Sequence, residues 1–312
     1  MTQFRHKIAF IIPTRNRPDL LAQLLQNLQE QTVKANQIII VDGSDQPIEP
    51  EIKQFLSPNV SYMRVFPPSL TKQRNEGLKA LDKDITLVGY LDDDMTVEKD
   101  AVEAMLRFWE HCSDDIGGSS FNITNQSSSR PSLLSRLFGK LFYFGEVGQG
   151  AVHRSGYNRI VSPVLKDTYT DWLCGGATIW RKQILEEFKY DEWFKGWAYL
   201  EDVDFSFTVS KRYKLVVVQA ARVQHFPPPF SSKKLYSLGR ELTKQRYYLV
   251  RKHPELSVAL FYWVTVGQII NGFIYGIVKR RLDPILKGWG NIAGLFNILR
   301  GNLAQVDEQF RV

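Results

Sequence analysis

Cysteine is nearly absent: Cys112 and Cys174 are the only two in 312 residues. Two thiols cannot build a disulfide framework or a four-cysteine zinc site, so an ordinary core must hold the fold. There is no G-x-x-x-x-G-K-[ST] loop and no G-x-G-x-x-G after a strand, which leaves the common NTPase and dinucleotide readings without support. No G-x-S-x-G nucleophile elbow and no internal repeat occur. The apolar run Ile8–Ile12 is too short for a secretory signal and ends in Pro13. The bulk of the chain is therefore expected to face a reducing compartment, the cytosol, and the sequons starting at Asn122 and Asn125 carry no weight there.

Excess charge is missing from most of the chain. Residues 1–230 carry a net −1, while Ser231–Val312 carries +8, so the overall +7 belongs to the C-terminal quarter. A nucleic-acid enzyme would place its positive field around the active site, so no nucleic-acid partner is expected. The basic quarter is also apolar, which points to an anionic membrane surface. A hydrophobic fraction of 44% against 23% charged is that of a globular chain, and it argues against both wholesale disorder and a multi-span membrane protein.

What is present is an alternation of strand and helix. Lys7–Ile12, Gln37–Val41, a weaker Ser61–Val65 and Ile85–Leu91 read as strands. Pro18–Gln31, Thr71–Leu81 and Glu98–Cys112 read as helices, the first with Leu20, Leu21, Leu24, Leu25 and Leu28 at helical spacing. This rhythm predicts an α/β fold, a largely parallel sheet with helices on both faces. Ser119–Asp171 reads as irregular, with Ser119–Ser135 a loop or lid and Leu133–Phe144 an apolar stretch. Order returns at Trp172–Trp180 and in the strand Lys214–Val218, and Pro227-Pro228-Pro229 closes the domain. Beyond it, Leu256–Val278 is uncharged and as a helix would be about 34 Å long, enough to cross a bilayer core. Gln268, Asn271 and Tyr275 form one stripe, Gly267, Gly272 and Gly276 interrupt it, and basic residues flank both ends. Together with the apolar Pro284–Leu299, two helices in or dipping into the interface fit at least as well as one span; a buried hairpin or an oligomer interface is the alternative.

Ligands of such sheets sit beyond the strand C-termini, where both Asp42 and Asp92-Asp93-Asp94 fall. Carboxylates at i and i+2 of an extended segment point the same way, so Asp92 and Asp94 could share a Mg²⁺ or Mn²⁺ site; a solvated turn or helix cap is the plainer alternative. Glu201-Asp202-Val203-Asp204 lies among aromatics, where a shielded carboxylate can act as general base, or it is an acidic helix start favoured by the dipole. His225 is an acceptable further metal ligand or an ordinary packed histidine. Lys72 and Arg74 could meet phosphates, or form a basic helix face.

The order of these motifs is more specific than any one of them. Ile11-Ile12-Pro13-Thr14-Arg15-Asn16-Arg17, Val41-Asp42-Gly43-Ser44-Asp45, Arg74-Asn75-Glu76-Gly77, Leu91-Asp92-Asp93-Asp94, Gly175-Gly176, Glu201-Asp202 and His225 follow one another. Over about residues 7–230 the chain resembles the family 2 glycosyltransferases of GT-A fold, which implies a mostly parallel or mixed sheet with helices on both faces. The resemblance implies a nucleotide-sugar donor lying across the strand ends, with Pro13, Thr14 and Arg17 along the nucleotide. Asp42 would approach the base, although many members carry two adjacent acids where this chain has Asp42-Gly43. Arg74 or Asn75 would help hold the nucleotide. Asp92 and Asp94 would touch ribose and divalent metal, and His225 would complete the metal site. Gly175 and Gly176 would admit the donor sugar beside Glu201, and Asp202 would be the catalytic base.

The expected activity is inverting, metal-dependent transfer of a hexosyl or deoxyhexosyl group to a glycan or lipid-linked acceptor, in cell-surface polysaccharide or glycoconjugate assembly. Residues 1–230 would form the transferase domain, its nucleotide half ending near residue 117, and 231–312 a membrane-associating region at the cytoplasmic face. A nucleotidyltransferase would want a more basic triphosphate loop. A degenerate, membrane-bound sugar-binding scaffold would need none of Asp92, Asp94 or Asp202.

Overall fold

The computed structural model describes residues 4–126, 138–143, 148–195, 198–227 and 232–303. The expected lid at Ser119–Ser135, the apolar Leu133–Phe144, Gly196-Trp197 and the final prolines Pro228 and Pro229 lie wholly or partly outside the described residues. The chain forms two compact units. One holds the described residues of Met1–Ser127 and Ile160–Pro227, the other those of Ser128–Arg159 and Pro228–Val312. The described residues of 128–159, expected from the sequence in the acceptor half of the first domain, thus group with the C-terminal helices.

The first unit is built on a nine-stranded sheet in the order β3-β2-β1-β4-β8-β6-β9-β5, with β7 against β9. Its strands are β1 (Ile8–Thr14), β2 (Gln37–Asp42), β3 (Val60–Arg64), β4 (Leu87–Leu91), β5 (Met95–Val97), β6 (Ile116–Ile123), β7 (Thr168–Thr170), β8 (Ala177–Arg181) and β9 (Lys214–His225). The half β3-β2-β1-β4 is parallel, as the βαβ rhythm requires. The other half is mixed, because β8 enters antiparallel to both β4 and β6. The largely parallel sheet read from the rhythm is therefore mixed over its second half. Strand β1 also runs through Pro13, which sits opposite Val41, instead of stopping there.

Alternation along β1 splits the core. Ile8, Phe10 and Ile12 face one side, where α1 (Pro18–Gln29) packs Leu21, Leu24, Leu25 and Leu28, and α4 (Ala101–His111) packs Met105 and Trp109. Ala9 and Ile11 face the other side, with α5 (Lys182–Glu187) and α6 (Glu201–Ser210). The short helices α2 (Glu49–Ile52) and α3 (Leu70–Gly77) follow β2 and β3. The helix expected over Thr71–Leu81 is α-helical only to Gly77, then tightens to a 3₁₀ turn over Leu78–Ala80.

Strand β6 overturns the irregular reading at Ser119. Its Ile-Gly-Gly-Ser-Ser-Phe-Asn-Ile sequence is fully buried. The small residues are there because Gly118 sits opposite Trp180, whose ring would lie 2.4 Å from a Cβ at 118. The hydroxyls are satisfied inside: Trp109 Nε1 donates to Ser119 Oγ at 3.0 Å, and Ser120 Oγ donates to the Ala177 carbonyl at 3.0 Å. Asn122 is likewise buried and donates to the Val164 carbonyl.

The second unit contains α7 (Leu235–Lys252), α8 (Val258–Lys279) and α9 (Leu282–Leu299). Helix α8 starts at the Ser257 cap, whose Oγ accepts from Leu260 N, and ends at Arg280 in the left-handed conformation. It runs unbroken through Gly267, Gly272 and Gly276, so the glycines do not interrupt it. They are approach points: a Cβ at Gly272 would lie 2.8 Å from the Pro284 carbonyl of α9. By length and composition α8 is the one helix among the described residues able to cross a membrane. Trp263, Val266, Ile270, Ile274 and Ile277 form an exposed apolar stripe along it, and α9 exposes Leu282, Trp289, Phe296 and Leu299.

Gly118→Ala drives a methyl into a buried indole with no room to turn. It is expected to destabilise the protein by about 1–3 kcal/mol, read as a lower urea midpoint at unchanged m-value.

Candidate functional site

The C-terminal ends of β1, β2 and β4 open on one edge of the sheet, and β8 and α6 close it from the side. Register does the first part of the work. Leu91 pairs with Ala177, so Asp92 comes opposite Gly176, and Asp92 N donates to the Gly176 carbonyl at 3.0 Å. A Cβ on Gly176 would sit 2.1 Å from Asp92 Oδ2, and one on Gly175 would sit 2.8 Å from Arg74 Nη1 and 2.9 Å from Asp202 Cβ. The glycine pair is thus a cradle for protein side chains.

Arg74, on α3, is the centre of this cluster and 1% exposed. Its Nη1 lies 3.1 Å from Glu201 Oε1 and its Nη2 lies 3.4 Å from Asp92 Oδ1. The guanidinium sits 5.0 Å from the Tyr190 ring centroid and 5.6 Å from that of Tyr90. Tyr190 in turn stacks on Phe205 of α6 at 4.3 Å. Asn75 fixes this arrangement by exchanging two hydrogen bonds with the backbone of Tyr190 and donating to Glu192. Both tyrosines are absent from the sequence reading, because they come from β4 and from the loop after α5, far from Arg74 in the chain.

Asp202 stands half-buried at the first turn of α6. Its Oδ2 accepts from Gly175 N at 3.0 Å and its Oδ1 from Val203 N at 2.7 Å. Burial raises its carboxyl above the usual aspartate range, Asp92 adding to it, against the lowering by the Gly175 and Val203 N–H groups and Arg74. Burial and then the Asp202 charge raise Glu201 further, only partly offset by Arg74, and Glu201 Oε2 is buried without a partner. Next door, burial and then the carboxylates of Asp202 and Asp92 push the Cys174 thiol far up, so it is no nucleophile.

The three aspartates do not alternate as on a strand. They form a turn between β4 and β5, with Met95 N donating to the Asp92 carbonyl. The expectation that Asp92 and Asp94 project alike from an extended segment is therefore corrected. Asp92 turns to Arg74 and Gly176. Asp93 is buried and accepts from Thr14 Oγ1 at 2.7 Å and Arg17 Nη1 at 3.0 Å. Burial raises Asp93 to about 6 despite the lowering by Arg17 and Thr14. Asp94 lies 3.6 Å from Arg17 and 3.2 Å from His225 Nε2. His225 ends β9 and pairs with Met95 of β5, so the strand that carries it is hydrogen-bonded to the strand that follows the aspartates.

Asp94 Oδ1 is buried and lies 3.2 Å from His225 Nε2. A buried carboxylate oxygen beside an imidazole nitrogen is a donor pair suited to a divalent cation. No cluster of three or more His, Cys, Asp or Glu able to hold a metal occurs among the described residues. The pair thus fits an ion such as Mg²⁺ or Mn²⁺ that completes its shell with water and phosphate. Burial acts to lower His225, but the hydrogen bond and charge of Asp94, then Asp92, outweigh it and raise the imidazole.

Two expected contacts sit differently. Asp42 is fully buried, and its carboxylate accepts from Ser44 N at 2.7 Å, Tyr62 OH at 2.5 Å and Ile48 N at 3.4 Å. It braces the turn after β2 and opens no free face. Pro13 is buried within β1. Gln73, unnoticed in the sequence, ties the site's edge together by donating to the carbonyls of Thr14 and Val41.

Residues 9–165 match the profile of Glycosyl transferase family 2. The fold is similar to that of the mannosyltransferase PcManGT from Pyrobaculum calidifontis in complex with GDP-Man and Mn²⁺. The TM-score is 0.58 at 13% identity, over 95% of this chain and 88% of that one. It is also similar to GalNAc-T7 with UDP, GalNAc and Mn²⁺, with a TM-score of 0.56 at 14% identity, over 88% of this chain and 57% of that one. At such identities the likeness is one of fold. No curated protein matches the chain.

Replacing Arg74 by Met leaves Glu201 and Asp92 without their cation. The expected loss is about 3–5 kcal/mol, measured by denaturant unfolding; a loss below about 1 kcal/mol would show that the buried pair is dispensable.

Proposed function

The chain belongs to family 2 of the glycosyl transferases, and from that premise we propose that it transfers a sugar, with inversion, from a nucleotide-sugar donor to a glycan or lipid-linked acceptor. The observation that carries the reading is Asp202: a half-buried carboxylate with a raised pKa, oriented by two backbone N–H groups at the mouth of the Arg74–Asp92 cluster. That is the environment of a general base. The nucleotide-sugar class and the metal dependence are carried over from the GDP-Man, UDP and Mn²⁺ complexes that share the fold. Assembly of a cell-surface polysaccharide or glycoconjugate, at the cytoplasmic face of the membrane, suits the basic, apolar C-terminal helices, whether they lie in the interface or α8 spans it.

The reaction is a single displacement. Asp202 accepts the proton of the acceptor hydroxyl while the acceptor oxygen forms its bond to the anomeric carbon. The bond from that carbon to the donor phosphate oxygen breaks on the opposite face, and its electron pair stays on the departing diphosphate. Asp94 and His225 would hold a divalent ion, whose positive charge would offset the charge of the departing diphosphate. Arg17 holds Asp93 and Asp94 in place, and Thr14 holds Asp93. Asp92 is set by Arg74 and Gly176 to meet the ribose, and Glu201 completes the donor side. Asp42 serves the base through the turn it braces, with Asn75 holding Tyr190 against Arg74.

Three outcomes test this. Asp202→Asn should lower transfer by about 10²–10⁴-fold with donor affinity by calorimetry unchanged; near wild-type turnover removes Asp202 as the base. Because a base works only when deprotonated and Asp202 is shifted upward, the acid limb of kcat/KM should lie above the ordinary aspartate value of about 3.9. Asp94→Ala should abolish the Mn²⁺ dependence of donor binding, and identical wild-type titrations with Mn²⁺ and with chelator would refute the metal role.

A further inference from the structure

Strand β9 reaches the site by a broken route. Its parallel ladder with β6 pairs Phe121 with Val218 and then Asn122 with Arg222, so Gln219, Ala220 and Ala221 bulge out between the two pairs. After the bulge β6 offers Asn122 and Ile123 as partners and then ends. His225 lies two residues beyond the last of these pairs. The imidazole that faces Asp94 is therefore carried on a strand end that has outrun its neighbour.

On the β5 side the strand is paired to its end. Glu98 N donates to the Arg222 carbonyl at 3.1 Å, Met95 stands opposite His225, and Phe226 N donates to the Asp94 carbonyl at 3.0 Å. Backbone groups alternate along an extended strand, so the N–H and carbonyl of Val223 and His225 turn the other way, towards β6. Thr124 N meets the Val223 carbonyl at 2.9 Å. For His225 the partner is a side chain. Asn125 Nδ2 donates to the His225 carbonyl at 2.8 Å, and His225 N donates to Asn125 Oδ1 at 3.0 Å. One carboxamide, with its donor and acceptor side by side, makes both bonds that a longer β6 would have made. Asn125 opens one of the two sequons, and this is the use the fold makes of it.

Asn125 is itself exposed. Two surface hydrogen bonds are too little to decide whether the domain folds, yet enough to decide how often a strand end frays. His225 is where fraying matters: its Nε2 lies 3.2 Å from Asp94 Oδ1, and metal–donor distances tolerate only about 0.2 Å of error. We propose that Asn125 is a positioning residue, whose carboxamide seats His225 opposite Asp94 and so sets the affinity of that pair for a divalent cation. This role rests on the metal reading of Asp94 and His225 given above.

The probe is Mn²⁺ alone, titrated into the full chain without donor or acceptor and followed by electron paramagnetic resonance of the free ion. Asn125→Ala should weaken Mn²⁺ binding about tenfold, while its melting midpoint in chelator stays at the wild-type value. The His225 amide should lose protection from hydrogen exchange, and that of Val217, further back along β9, should keep it. Unchanged Mn²⁺ affinity overturns the proposal even if the His225 amide exchanges faster, because Asn125 would then hold backbone without placing the ligand. If the melting midpoint falls as well, a double-mutant cycle decides. Asn125→Ala made in a His225→Ala chain should cost no further Mn²⁺ affinity, and a second tenfold loss there would show that Asn125 acts on the fold and not through the imidazole. A wild type that binds no Mn²⁺ removes the metal reading and this role with it. A wild type that binds Mn²⁺ no better than Asn125→Ala removes this role alone.

Discussion

The buried guanidinium of Arg74 is the constraint on which the functional edge of the sheet depends. It joins the end of β4 through Asp92, the start of α6 through Glu201 and the loop after α5 through Tyr190. These segments are distant in the chain, and each brings a group that is unstable alone in a dry environment. A carboxylate needs a cation there, and a cation needs carboxylates or π-faces. The cluster is therefore self-consistent only when complete, and completing it fixes the position of the half-buried Asp202 carboxylate next to it. Gly175 and Gly176 belong to the same constraint, since any side chain there would occupy the volume of Arg74 or Asp92.

A division of labour among three neighbouring aspartates follows from the turn that carries them. Asp92 is coupled to the Arg74 cluster, Asp93 is locked to β1 and the start of α1, and Asp94 faces His225. Only because the turn splays them can three adjacent carboxylates coexist without a shared neutralising ion. Asp94 is the one beside the imidazole, which is why the proposed metal role falls on it.

The parallel half of the sheet was legible because its signals are local. Strands β1, β2 and β4 are short buried runs ended by turns, and α1 shows its leucines at helical spacing. Strand β6 was not, because Gly-Gly-Ser-Ser reads as loop unless one knows that Trp180 lies across it. The motif order named residues that gather at one edge of the sheet, but not their partners. Arg74 read as a phosphate contact or part of a basic helix face because the tyrosines against it come from elsewhere in the chain. Asp42 read as a ligand contact because nothing nearby announces that Tyr62 and two backbone amides occupy its oxygens. The period-2 rule misplaced the aspartates because it presumes an extended backbone where the chain turns. Burial and cross-chain pairing are non-local quantities, and these are the features that local pattern could not carry.

The antiparallel insertion of β8 also sets a timetable. Strand β4 lies in the middle of the finished sheet, between β1 and β8, yet Ala177 follows Leu91 only after the whole of β6 and the segment beyond it have been made. At about 5–20 residues per second on the ribosome, one edge of β4 stays open for roughly 4–17 s of synthesis. During that interval the nascent chain presents a row of unpaired amides flanked by Leu87, Val88 and Leu91, which is the kind of edge that pairs with other chains. Holding factors that shield nascent polypeptides have their window there, and a pause in translation between residues 91 and 177 would be costlier to yield than a pause anywhere after β8.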